Sequence, residues 1–225
     1  MIAVPTGEYA RRADFYDYLG VIEREIGWID TRVHGQSPAR NRNIAIQQAI
    51  DNNCTHVMFF DDDVCPPPNI VKKLLKHNVS IVSGLYLMRA YPHQPIIFDY
   101  ADYDGRCLHH FLSSNESGLI EVVSCGLGCL LIKIDVFKNM EKPWIRLGEI
   151  ESDHWCDDTG FTKRARAVGY KIHCDLDILV GHQVSMTIWP TFNGERWFTT
   201  YDTKGSGSAS VPQLCREKER ETQNA

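Results

Sequence analysis

The sequence predicts an α/β protein: one domain built on a mixed central sheet flanked by helices. Three observations carry the expectation. Apolar, β-prone runs alternate with segments of helical spacing through the first ~90 residues, the pattern of parallel strands joined by crossover helices. From Gln94 to Ile134 the pattern changes to short strands broken by turn signals, which reads as a more antiparallel region. The chain has 225 residues and 43% hydrophobic content, enough to bury one substantial core.

The elements follow in order. "MIAVP" reads as a short buried strand closed by Pro5 and Gly7, and "YARRADFYDYLGVIEREI" carries apolar residues at helical spacing. "SPARNRNIAIQQAIDNN" opens with Ser37 as N-cap and Pro38 at the first helical position, and the spacing places Ile44, Ala45, Gln48 and Ala49 along one side. "THVMFF" has the near-continuous apolar character of a strand buried on both faces. "NIVKKLLKHN" is an amphipathic helix and "VSIVSGLYL" a second buried strand. "QPIIFDY", "RCLHHFL" and "GLIEVVSCGLGCLLIKI" supply the short strands of the mixed region. A helix returns at "CDDTGFTKRARAVG", ending at Gly169, before the strand "YKIHCD".

The folded domain is expected to cover 1–203. Residues 204–225, with the linker-like "KGSGSASVPQ" and the charged "LCREKERETQNA", have little to bury and are expected to form a flexible tail.

The net charge of −5 offers no general basic surface for nucleic acid or anionic membrane. No apolar run approaches the ~20 residues needed to cross a bilayer, and the start lacks the order of a secretory signal, so the expectation is a soluble, cytoplasmic protein without a transmembrane segment. The eight cysteines include no CxxC pair and are expected to be reduced and mostly buried; Cys125 and Cys129 with a histidine make a weak zinc pattern.

The question of function centres on "VMFFDDDVCPPP", where Asp61, Asp62 and Asp63 directly follow a buried strand. Open parallel sheets bind ligands outside the carboxyl ends of their strands, so the acids stand where ligands sit. If the segment is extended, Asp61 and Asp63 point to one side and Asp62 to the other. Two converging carboxylates suit Mg²⁺ or Mn²⁺, with water and phosphate oxygens completing the shell. The bland alternative is an acidic turn capping the next helix.

"SPARNRNIAIQQAI", "HVMFFDDDVCPPPNIVKKLL", "IVSGLYLMR", "SCGLGCLLIKIDVF", "PWI", "WCDDTGFTKRARAVGYKI" and "VGH" in this order resemble the nucleotide-sugar-dependent glycosyltransferases of the GT-A fold, which is Rossmann-like, and especially the small family-two-like enzymes. The resemblance spans about residues 1–185. It implies a nucleobase pocket at Pro5, Thr6 and Gly7, and an arginine near the nucleotide at Arg40. Its acidic motif falls on Asp61 and Asp63, with Asp62 between them, holding metal and ribose. Gly84 and Tyr86 match the segment lining the sugar site, and His182 matches a late metal-binding histidine. Asp157 and Asp158 match the catalytic acid pair, the second as general base, although the first position holds Asp where the family often has Glu.

The chemistry is consistent with that mapping. Displacing a nucleoside diphosphate from a sugar leaves growing negative charge that needs a cation, and the attacking hydroxyl must lose a proton. Asp61, Asp63 and His182 would hold Mn²⁺ or Mg²⁺, and Asp158 would take the proton, its pKa raised by burial beside Asp157. The expected donor is a UDP- or GDP-sugar. The acceptor class stays open between a saccharide, a lipid-linked glycan, a protein side chain and a modified nucleic-acid base. Trp155 and the turn at Gly126 and Gly128 are candidates for the acceptor side; Trp189 and Trp197 stack on substrate or fill the core. "CGLGC" lacks the full dinucleotide-binding pattern, and "KRARAV" reads as a solvated helix face. The rival readings are a sugar nucleotidyltransferase, for which "PTGEYARR" is a poor phosphate loop, and a non-catalytic nucleotide- or glycan-binding module.

Overall fold

The computed structural model describes residues 1–5, 13–25, 27–90, 92–101, 107–146, 157–192, 194–195 and 197–204. They divide into two compact units, Met1–Leu87 with Gln94–His182, and Met88–His93 with the residues from Gln183 onward.

The first unit begins with β1 (Ile2–Pro5), α1 (Ala13–Gly20), β2 (Asp30–Val33), α2 (Pro38–Asp51) and β3 (His56–Phe60). It continues with β4 (Val64–Cys65), α3 (Ile70–Lys76), β5 (Ile81–Leu85), β6 (Ile97–Ala101), β7 (Cys107–His109), β8 (Leu119–Val122) and β9 (Ser124–Cys125). β10 (Cys129–Lys133), α4 (Ile134–Lys138), α5 (Asp157–Ala167), β11 (Ile172–Leu179) and β12 (Gly181–His182) complete it. Seven strands form the central sheet in the order β2-β1-β3-β10-β5-β11-β8. β1 pairs parallel with β2 and β3, and β11 parallel with β5. β10 runs antiparallel to both β3 and β5, so those two run the same way. Five strands therefore end at one edge, while β10 and β8 run against them.

The early alternation of strand and helix is present, but β3 and β5 do not touch: β10 lies between them. The sheet is covered on both faces, which the alternation along β3 makes visible. Val57 and Phe59 pack with Ala45 and Ile46 of α2 and Phe161 of α5. Met58 and Phe60 pack with Phe15 of α1 and Ile70 and Leu74 of α3. All four strand residues are buried, as a continuous apolar run requires.

Helix α2 starts where the sequence indicates, with the Ser37 hydroxyl accepting from the Arg40 N–H at 3.4 Å and Pro38 in the first turn. Its buried face differs from the expected one. Ala39, Asn41, Arg42, Ala45, Ile46 and Ala49 turn inward, and Ile44 is exposed, because the inner stripe includes two polar residues that a search for aliphatic spacing passes over. Helix α5 ends at Ala167 and is closed off by Gly169 (φ +93°), whose N–H bonds the Arg166 carbonyl while Tyr170 N–H reaches back to Ala165; a side chain would be strained at that φ. Arg164 is not part of a solvated face: its guanidinium donates to the carbonyls of Pro143 and Trp144. Cys125, Cys129 and Cys174 are buried free thiols, and burial pushes those of Cys129 and Cys174 up to about 12.

The second unit contains a hairpin of β13 (Ser185–Phe192) and β14 (Trp197–Lys204), paired antiparallel from Ser185↔Lys204 to Phe192↔Trp197. No strand is expected there from the sequence. Among the described residues, no helix is long and apolar enough to cross a membrane.

Candidate active site

Because β1, β3, β5 and β11 share one direction, the residues that follow them gather at one edge of the sheet. Pro5 ends β1, Asp61 follows β3, Tyr86 follows β5, and His182 lies just beyond β11 on β12, which pairs with β4. Thr6, Gly7 and Trp155 lie outside the described residues, as do the side chains of Trp189 and Trp197.

The three acids do not continue β3 as an extended strand. The chain turns at Asp62 and Asp63, and the Val64 N–H returns to the Asp61 carbonyl at 3.3 Å. The alternation expected of an extended segment is therefore lost, and Asp61 and Asp63 have different partners. Asp61 Oδ1 accepts from Arg42 at 2.6 Å, and Asp63 Oδ1 stands 3.4 Å from His182 Nε2. Asp62 sits in the turn between them, half-buried.

Arg42 is the residue that the sequence reading missed. Its side chain is 4% exposed and forks between two acids, one amine to Asp61 at 2.6 Å and the other to Asp157 at 2.5 Å. Burial alone would lower the guanidinium pKa, but the carboxylates of Asp61, Asp157 and Asp158 outweigh it and raise it, so Arg42 stays charged. Arg40, the arginine picked from sequence, is exposed at the start of α2 and lines a separate open groove with Ile44, Gln47 and Trp144. The available signal was spacing: two positions along α2 turn the side chain from the solvent side to the sheet side.

Asp157 and Asp158 open α5. The Asp158 side chain keeps some accessible surface, although protein surrounds it on nearly every side. Burial first, and then the neighbouring charge of Asp157, hold its pKa well above the usual carboxylate range; Arg42 works against this without cancelling it. Helix α5 is fixed to β9, which pairs with β6 outside the central sheet, by the buried Ser124–Thr162 hydroxyl pair at 2.6 Å. Asn43 of α2 donates to the Ile145 carbonyl at 2.7 Å and accepts from its N–H at 3.1 Å, clamping a segment shortly before α5.

Glycines let these groups approach. The Tyr86 hydroxyl oxygen, buried, accepts from the Gly128 N–H at 3.0 Å. A Cβ on Gly128 would stand 2.9 Å from Asp61 Oδ2 and 3.0 Å from the Tyr86 oxygen, and one on Gly126 would collide with that same hydroxyl. Gly84 is equally closed in: a Cβ there would meet Val180 Cγ2 at 2.9 Å and the Ile178 carbonyl at 3.0 Å. Burial, reinforced by Asp158 and Asp61, keeps the Tyr86 phenol protonated by raising its pKa well above the ordinary value.

Asp63 and His182 are the residues that suit a cation. The His182 Nδ1 is 2.8 Å from the Leu87 carbonyl oxygen, which can only accept, so Nδ1 carries the hydrogen. A hydrogen on Nε2 would make this contact an ion pair with Asp63, and a cation between the two atoms would serve equally; a ring nitrogen oriented through its other nitrogen by a backbone carbonyl is also how metal-ligating histidines are held. Among the described residues, no group of three His, Cys, Asp or Glu gathers that could hold a metal, neither Asp61 with this pair nor Cys125 with Cys129. A cation here would have two protein ligands, leaving the other positions to water and phosphate oxygens, as Mg²⁺ and Mn²⁺ sites at nucleotides allow.

Neither a protein-family model nor a curated protein sequence matches the chain. Among solved structures it is similar to A197 from STIV, at 18% identity and TM-score 0.58 over 82% of this chain and 85% of that one. It is also similar to GalNAc-T7, whose crystal structure contains UDP, GalNAc and Mn²⁺, at 9% identity and TM-score 0.51. That alignment covers 81% of this chain and 43% of GalNAc-T7. At these identities the likeness is one of fold: a GT-A-like mixed α/β sheet flanked by helices.

Proposed function

We propose that this chain is a glycosyltransferase that moves a sugar from a UDP- or GDP-sugar to a hydroxyl acceptor by single displacement with inversion. The observation that carries the reading is the pairing of two unlike carboxylate sites at one strand edge: Asp63 facing a pre-oriented His182, and Asp158 with a raised pKa at the start of α5. The GT-A-like fold, and a neighbour crystallised with UDP, GalNAc and Mn²⁺, support the class of substrate.

In this reading the nucleobase docks beyond β1 at Pro5, Thr6 and Gly7, with Asp61 and Asp62 toward the ribose, while the enclosed Gly84 and the buried Tyr86 support the sugar site from behind rather than touch the sugar. Mn²⁺ or Mg²⁺ held by Asp63 and His182 would neutralise the charge that grows on the departing nucleoside diphosphate. Asp158 takes the proton of the acceptor hydroxyl as its oxygen attacks the anomeric carbon. The bond from that carbon to the diphosphate breaks, and its electron pair leaves with the phosphate. A base with a raised pKa is better matched to a hydroxyl near neutral pH than an ordinary aspartate. Asp157 orients the acceptor, with Trp155 the candidate for stacking on it, while Gly126 and Gly128, buried against Tyr86, do not reach the acceptor.

The test is a thermal-shift screen of UDP- and GDP-sugars with and without Mn²⁺, followed by measurement of nucleoside diphosphate release. Metal-dependent stabilisation by one donor class with release of its diphosphate is expected. No stabilisation by any nucleotide in the presence of Mn²⁺ would remove the reading.

A further inference from the structure

We infer that Arg42 is a positioning residue that ties the acid pair at the start of α5 to the carboxylate at the end of β3, so that the general base is aligned only while Arg42 holds both. The inference rests on the glycosyl-transfer reading and adds to it a residue that touches neither substrate. Asp61 and Asp157 lie on elements far apart in the chain, and no strand pairing joins those two elements. Arg42 bridges them with its two terminal amines, at 2.6 and 2.5 Å, from a side chain almost wholly out of water.

The geometry argues against the other roles an arginine here could have. Each terminal amine gives one N–H to a carboxylate, and with the side chain only 4% exposed the remaining N–H groups, the unpartnered Nε included, face protein rather than an incoming phosphate. The helix that carries Arg42 is capped at Ser37 and bonded through Asn43 to Ile145, so the fork has a fixed origin. A lysine would keep the charge but not the fork: one ammonium on a flexible stem cannot hold two carboxylates in a fixed relation.

The experiment compares wild type, Arg42→Lys and Arg42→Met in the full chain. Three quantities are read: melting temperature, calorimetric affinity for UDP and GDP with Mn²⁺, and kcat and KM for hydrolysis of the donor sugar. Arg42→Lys should fold and bind nucleotide within about threefold of wild type, yet lose roughly 10–100-fold in kcat with little change in donor KM, the mark of misplacement rather than lost binding. Adding Asp157→Asn to Arg42→Lys should cost little more than either change alone, because both cut the same link. If Arg42→Met does not fold, Arg42→Lys carries the test. An Arg42→Lys protein with wild-type kcat where it is folded would overturn the inference, and so would a loss of nucleotide affinity as large as the loss of kcat. A wild-type protein that neither binds UDP or GDP nor releases sugar would instead fell the transfer reading, and this inference with it.

Discussion

Asp63 Oδ1 and His182 Nε2 face each other across 3.4 Å, and the other nitrogen of the imidazole is held by the Leu87 carbonyl at 2.8 Å. The ring also stands edge-on to Tyr86, with centroids 5.6 Å apart, so its orientation is fixed from two sides. A histidine fixed this way gives up little freedom when it takes a ligand.

His182→Ala should therefore weaken Mn²⁺-enhanced nucleotide binding by at least the roughly 10–100-fold that losing an outer-shell partner costs a metal site. Asp63→Asn should do the same. Calorimetry of UDP and GDP with and without Mn²⁺ is the measurement, and a melting temperature close to wild type should accompany the loss. Normal metal enhancement with a large fall in melting temperature would mean that the pair is structural.

Asp158→Asn should lower kcat by roughly 10²–10⁴-fold while nucleotide affinity barely changes, since it keeps the shape and loses the basicity. Wild-type turnover should rise with pH through the raised pKa of Asp158, as the proton comes off the base, and this rise should vanish in the variant.

The same group predicts an opposite effect on stability. Its folded pKa is raised, so between the ordinary aspartate pKa of about 3.9 and the raised value the folded state binds more protons than the unfolded one, and stability falls as pH rises. Asp158→Asn removes that penalty. Melting curves should show the variant more stable than wild type at pH 8 and equal to it near pH 4. A variant less stable at pH 8 would contradict the direction of the shift.

Gly126→Ala should destabilise the fold by about 1–3 kcal/mol, the usual cost of overpacking, because the new methyl meets the Tyr86 hydroxyl and stands 2.8 Å from Ile96 Cγ2. Tyr86→Phe in the same chain removes the oxygen and should return part of the loss. Urea unfolding of the two single variants and the double variant measures it. Strict additivity would show that the hydroxyl is not what Gly126 accommodates.

Much of this site was legible because local rules set it. Ser37 and Pro38 mark the start of α2, Gly169 marks the end of α5, and a buried strand that stops at Asp61 points to the ligand-binding edge. What escaped depends on tertiary contact. Arg42 sits on the inner face of α2 because two acids from other elements meet it there, and periodicity read in apolar residues alone gives no reason to turn an arginine inward. The separation of Asp61 from Asp63 follows from a turn that three consecutive aspartates do not advertise. In the hairpin of the second unit, Pro190 falls inside the unbroken β13, and a proline within a run argues against a strand when only the sequence is read.

The position of β10 bears on how the chain can be assembled. Leu130 pairs with Phe59 on one side and Ser83 on the other, so one strand closes the gap between two segments that precede it by tens of residues. A ribosome that has released only the first ninety residues has exposed β3 and β5 as two apolar strands, each lacking the same neighbour. Contacts this distant in sequence slow folding and leave unpaired edges open to aggregation meanwhile. The alternating N-terminal stretch, which looks able to stand alone, is thus half of an interlocked sheet, and cutting the chain before Cys129 should yield an aggregating fragment rather than a small nucleotide-binding module.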